Sequence, residues 1–173
     1  MSKSVLLDTS FFIRFLNEND PLFQNADNYY KKFLEQGITL YISTISIAEY
    51  CIGGNITELP LKNLKILPFN IEHAKRAGVF AKIVFDKREQ TSDIDRKIIP
   101  NDTNLFAQAD TEVHIAYYLT SDSKSKKVYE ILKDNTSLNF TFIDLNVSYE
   151  EYFGELAFTW YNFYSRESYR LTN

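Results

Sequence analysis

The sequence predicts an α/β fold: a three-layer α/β/α sandwich around a central, mainly parallel sheet. Two observations lead there. Short apolar runs without polar alternation, such as SVLL and IAYYL, recur along the chain, and stretches of helical apolar period separate them. Strands of that kind are buried on both faces, which requires helices above and below the sheet. Crossovers between such strands are expected to be right-handed.

The elements follow in order. SVLL (residues 4–7) is the first strand and ends at Asp8. Helical patterns cover residues 10–16 and 26–36, and Gly37 stops the second. TLYIS (residues 39–43) is β-branched and aromatic, a strand composition. Thr44 or Ser46 caps a helix carrying Ile47, Ala48, Glu49 and Ile52, which Gly53-Gly54 closes. Residues 64–67 form a short apolar run before Pro68, and Ala74, Ala77, Val79, Phe80, Ile83 and Val84 share one helix face over residues 71–85. The charged stretch 86–97 reads as a loop. A helix begins near Asp102, after Pro100; residues 114–119 are a strand, 124–133 a basic helix and 140–143 the last strand. Residues 1–146 are thus read as one domain. Residues 147–173, rich in Tyr, Phe and Trp, form a C-terminal helical extension packed on the domain or on a partner.

Composition narrows the class. The chain has 173 residues, 45% hydrophobic and 24% charged, which excludes disorder and collagen-like repetition. With 19 basic against 23 acidic residues the formal charge is −4, so binding through a broad positive face is not expected. Cys51 is the single cysteine; no intramolecular disulfide can form, and a reducing compartment suits the chain. The apolar start is cut short by Asp8, too soon for a signal peptide, and no run approaches the ~18 residues of a membrane span. A cytoplasmic protein without a membrane segment is the expectation.

In open α/β sheets, ligands sit beyond the carboxyl ends of the strands. Four acidic residues fall there. Asp8 follows the first strand, Glu49 lies early in the helix after the second, Asp102 opens a helix after Pro100, and Asp122 follows the 114–119 strand. An Asp after a strand is often a helix cap, and Asp102 suits that role too, so each acid taken alone reads more readily as structural. Four together repel one another unless a cation is bound, and Mg²⁺ or Mn²⁺ is the natural occupant of an all-oxygen site. His73 and His114, read as structural, with a lone cysteine give no zinc set. There is no GxxxxGK[ST] or GxGxxG phosphate loop. Ser10 stands where a haloacid-dehalogenase-like phosphatase needs its second Asp, and the segment after Asp144 lacks the lysine of a phosphorylatable receiver.

The stretches VLLDTSFFIRFL, STISIAEY, LKILPFNIEHAKRAG, IIPNDTNLFAQA and YYLTSDSK, in that order over about residues 5–144, resemble the PIN-domain family. Asp8, Glu49, Asp102 and Asp122 match the family's acidic quartet, and Thr120 its hydroxyl residue before the last acid. The resemblance implies a parallel sheet flanked by helices and a divalent-metal-dependent ribonuclease. Members of this size resemble the VapC-like toxins, which dimerise and are held inactive by a small antitoxin. On this reading Asp8, Asp102 and Asp122 hold Mg²⁺ or Mn²⁺, and Glu49 is a ligand or orients water. Thr9, Ser10 and Thr120 orient the carboxylates. Arg14 and Lys124 are the candidate contacts to RNA phosphates. The rival reading is a catalytically inactive PIN-like domain that binds protein or RNA, which the aromatic extension favours.

Overall fold

The computed structural model describes residues 3–87 and 99–154. Five strands form one parallel sheet in the order β3-β2-β1-β4-β5: β1 Ser4–Leu7, β2 Thr39–Ser43, β3 Leu64–Leu67, β4 Ile115–Thr120 and β5 Thr141–Asp144. Val5, Leu7, Leu40, Ile42, Leu119 and Ile143 point to one face. There they meet α1 Thr9–Phe15, α2 Phe23–Glu35, α3 Thr44–Tyr50 and the short α7 Tyr149–Phe153. Leu6, Tyr118 and Phe142 point to the other face, against α4 Ile71–Lys87, α5 Ile99–Thr111 and α6 Ser123–Asn135. This is the three-layer α/β/α arrangement expected, with period-two side chains feeding a core on each side.

The chain runs outward from β1 through β2 to β3, then returns to lay β4 on the opposite edge of β1. The order therefore reverses between β1 and β4, and the crevice beyond their carboxyl ends is where such sheets bind ligands. A register shift between Ser4 and Val5 refines that junction: Ser4 aligns with Ile115 but Val5 with Tyr117. Beyond the shift Leu7 lies beside Leu119, so Asp8 comes beside Thr120. Without it, β4 would be one residue out of phase and its side chains would exchange faces.

Several boundaries depart from the sequence reading. Helix α5 starts at Ile99 rather than near Asp102, because Pro100 lacks only an N–H that the first turn leaves unbonded in any case. Asp102 is thus inside the first turn and is not its cap. Helix α2 begins at Phe23, three residues before Ala26, and Gly37 ends it in the left-handed conformation at φ 68°. His114 lies in the turn before β4. Asp86 and Lys87 continue α4; the rest of the expected 86–97 loop lies outside the described residues. Of the aromatic extension, Tyr149, Tyr152 and Phe153 pack on the α2 face, with Tyr149 buried against Tyr29 and Phe33. Residues 155–173 are outside the described residues. Among the described residues, no helix is long and apolar enough to cross a membrane.

Candidate active site

Asp8 leaves β1 and caps α1. Its Oδ2 accepts from the Ser10 backbone N–H at 3.3 Å, from Ser10 Oγ at 2.7 Å and from Thr120 Oγ1 at 2.8 Å. Each hydroxyl has one proton, and both protons go to the carboxylate. The 3.0 Å approach of Ser10 Oγ to Thr120 Oγ1 is then two donors converging on one acceptor. The same hydroxyls accept from the next backbone turn: Ser121 N–H on Ser10 Oγ and Asp122 N–H on Thr120 Oγ1, both at 3.0 Å. The network sews the start of α1 to the end of β4 and fixes the Asp8 side chain.

Glu49 on α3 is held from two other elements. Thr9 Oγ1, at the start of α1, donates to Oε2, and Asn101 Nδ2, in the first turn of α5, donates to Oε1 at 2.7 Å. Burial raises the Glu49 pKa, and the Asp8 charge adds to it; the Thr9 and Asn101 hydrogen bonds oppose the rise. Asn101 escaped the sequence reading, although its place beside Asp102 was a usable cue.

Asp102 is the most perturbed of the four. Burial, then the charges of Asp8, Asp122 and Glu49, push its carboxyl up to about 8 against an opposing contribution from the Ser125 hydroxyl. A first-turn position favours an anion by only ~0.3–1 kcal/mol, less than one pKa unit, so desolvation and like charge win. Its Oδ2 is buried with no hydrogen-bond partner among the described residues. Asp122 caps α6, its Oδ1 accepting from Lys124 N–H at 2.8 Å.

The four acids therefore share one carboxyl-end edge and act on each other electrostatically. Among the described residues no three His, Cys, Asp or Glu side chains close on a single point as ligands for one ion. The donor chemistry nonetheless fits a hard cation: the donors are all oxygen, one buried carboxylate oxygen has no partner, and Mg²⁺ commonly takes one or two carboxylates and completes its shell with water.

The other candidates divide. Arg14 is drawn away, its guanidinium Nη1 paired with Asp20 Oδ2 at 2.7 Å. Lys124 is exposed at the start of α6, two residues after Asp122. His73 is fully buried, accepting the Asn70 N–H on Nδ1 and facing Glu112 on Nε2, away from the acidic edge. Beside Glu49 a groove of about 510 Å³ runs between α1 and α3, lined by Ile13, Leu16, Tyr50 and Ile52.

A parallel sheet with helices on both faces and an acidic cluster at its switch point defines a class of α/β proteins with a carboxylate site. Within it, the PIN domain model matches residues 5–131, and the chain belongs to that family. Two crystal structures share the fold. One is VapBC2 from Rickettsia felis bound to a DNA fragment from its promoter: 21% identity, 81% of this chain and 98% of that one covered, TM-score 0.51. The other is DNA-bound VapBC from Salmonella typhimurium: 15% identity, 84% and 99% covered, TM-score 0.51. No curated protein sequence matches the chain.

Proposed function

We propose that this protein is a divalent-metal-dependent endoribonuclease whose site is formed by Asp8, Glu49, Asp102 and Asp122. The observation that carries the reading is Asp102: a buried carboxyl, pushed up to about 8 and surrounded by three more acids, that has no partner for Oδ2. Structural ion pairs do not look like this, because a stabilising design would supply a cationic side chain. Asp8, Asp102 and Asp122 would hold Mg²⁺ or Mn²⁺, one or two of them directly and the rest through its waters. Bound there, the ion supplies positive charge to a phosphodiester and acidifies water. Ser10 and Thr120 keep Asp8 in one rotamer, as Thr9 and Asn101 do for Glu49. A Glu49 carboxyl raised above its ordinary pKa by burial and the Asp8 charge suits a group that orients the attacking water and takes its proton.

Lys124 is the better placed of the two candidate phosphate contacts, since Arg14 is already paired with Asp20. Family membership and the VapBC structures of the same fold support a toxin held by an antitoxin partner; a homodimer working in the cytoplasm belongs to the same proposal. The test is cleavage of single-stranded and structured RNA with Mg²⁺ or Mn²⁺ added or chelated. Cutting that needs the metal and is lost in Asp8→Asn is expected. Cutting insensitive to chelation, or retained by the variant, would exclude the mechanism. No cutting, with Mn²⁺ still bound, would favour the alternative of an inactive PIN-like binding module.

A further inference from the structure

Directly under the acidic edge, three buried side-chain oxygens have no hydrogen-bond partner among the described residues: Asp102 Oδ2, Ser125 Oγ and Tyr118 Oη. They come from three elements, α5, α6 and β4. Tyr118 is fully buried, its ring edge-on to Phe106 at 4.9 Å, and Ser125 is 1% exposed. Tyr118 lies two residues before Thr120, so its side chain leaves β4 on the same face as the hydroxyl that bonds Asp8.

Buried polar groups left unpaired cost about 1–3 kcal/mol each, so three at one place are not an arrangement a core keeps for packing. Phenylalanine would fill the Tyr118 site among Phe106, Phe140 and Phe142 without that cost. The three groups also act on one another. The Ser125 hydroxyl bears on both Asp102 and Tyr118; the charges of Asp8 and Asp102 bear on Tyr118, and Asp8 is a second acceptor within its reach. A tyrosine phenol, with an ordinary pKa near 10, is protonated at neutral pH and acts as a donor. When Asp102 is ionised its carboxylate only accepts, and a serine hydroxyl does both; donation from tyrosine through serine to aspartate then satisfies all three groups.

We propose that Tyr118 and Ser125 are positioning residues for Asp102: Tyr118 Oη donates to Ser125 Oγ, and Ser125 Oγ donates to Asp102 Oδ2, directly or through one shared buried water. The relay holds the Asp102 carboxylate from below and leaves its upper face for the cation. Polarised hydrogen-bond chains of this kind strengthen when the terminal group is charged, and a buried water needs only two to four polar partners. The proposal rests on reading the acidic cluster as a cation site.

The test pairs calorimetric Mn²⁺ binding with proton NMR of the metal-free protein labelled at tyrosine, recorded above about pH 8 where Asp102 is ionised, using Tyr118→Phe, Ser125→Ala, the double variant and Ser125→Thr. Each single variant is expected to weaken Mn²⁺ binding about three- to tenfold. The double variant should be no weaker than Ser125→Ala, because the relay is already cut, and Ser125→Thr should restore affinity. The Tyr118 hydroxyl proton should be slow to exchange and should shift in Asp102→Asn. Wild-type Mn²⁺ affinity kept in both single variants would overturn the proposal and leave the nuclease reading standing. If wild type binds no Mn²⁺, the cation reading fails. The hydroxyl proton then decides the relay: a shift in Asp102→Asn supports it, and an unmoved resonance overturns it.

Discussion

At the scale of single residues, the site is a balance between desolvation and repulsion on one side and a few hydroxyl donors on the other. Asp102 shows the sign most clearly. Its folded pKa of about 8 lies above the ordinary value of 3.8, so between those values the folded state holds a proton that the unfolded state has lost. The stabilisation is fully present below about pH 4 and is lost as pH rises through about 8; the raised Glu49 carboxyl contributes with the same sign. Asp102→Asn, which removes the charge and keeps the shape, should therefore raise the Tm of metal-free protein by about 3 °C or more at pH 8. The gain over wild type should shrink toward pH 5 and level off above about pH 8, followed by calorimetric melts across that range. Thr120→Val works in the opposite direction. It removes a donor from Asp8 Oδ2 and an acceptor from the Asp122 N–H, and should cost about 1–3 kcal/mol by urea unfolding. For the phosphate contacts, Lys124→Ala should weaken RNA binding and flatten its salt dependence by about one charge, whereas Arg14→Ala should do so less because of Asp20.

At the scale of elements, the strands were legible because continuous apolar runs have few alternatives: all five lie within a residue of where the sequence put them. Asp8 and Asp122 were legible twice over, as caps of α1 and α6 and as residues at strand ends, and both roles hold in one side chain. Less legible were features set by contacts distant in sequence. Asn101 reaches Glu49 across 52 positions, and Arg14 turns to Asp20 in the α1–α2 connection; no period announces either. The register shift at Ser4/Val5 is likewise a property of two strands together and of neither alone. Pro100 misled because it reads as a boundary, yet the helix had begun one residue earlier. The start of the aromatic extension offers a test at this scale. Tyr149 is 1% exposed and set edge-on to Tyr29 at 5.3 Å, so Tyr149→Ala should cost about 3–5 kcal/mol in denaturant unfolding. A cost under about 1 kcal/mol would show that α7 contributes little to the core.

At the scale of the whole molecule, the strand order, the register and the net charge of −4 act together. The reversal between β1 and β4 brings Asp8 and Thr120 side by side, α5 and α6 bring Asp102 and Asp122 to the same edge, and α3 adds Glu49. On the proposed reading, a chain this acidic with an acidic site would repel RNA until cations neutralise that edge, so metal dependence is expected from charge as well as from chemistry. The most direct measurement is Mn²⁺ titration calorimetry at pH 7.5 on wild type, Asp8→Asn and Asp102→Asn, each confirmed as folded. Saturable binding to wild type that falls at least tenfold in both variants is the expected result. Equal binding by all three proteins, or none by wild type, would contradict the assignment of these carboxylates to a cation site.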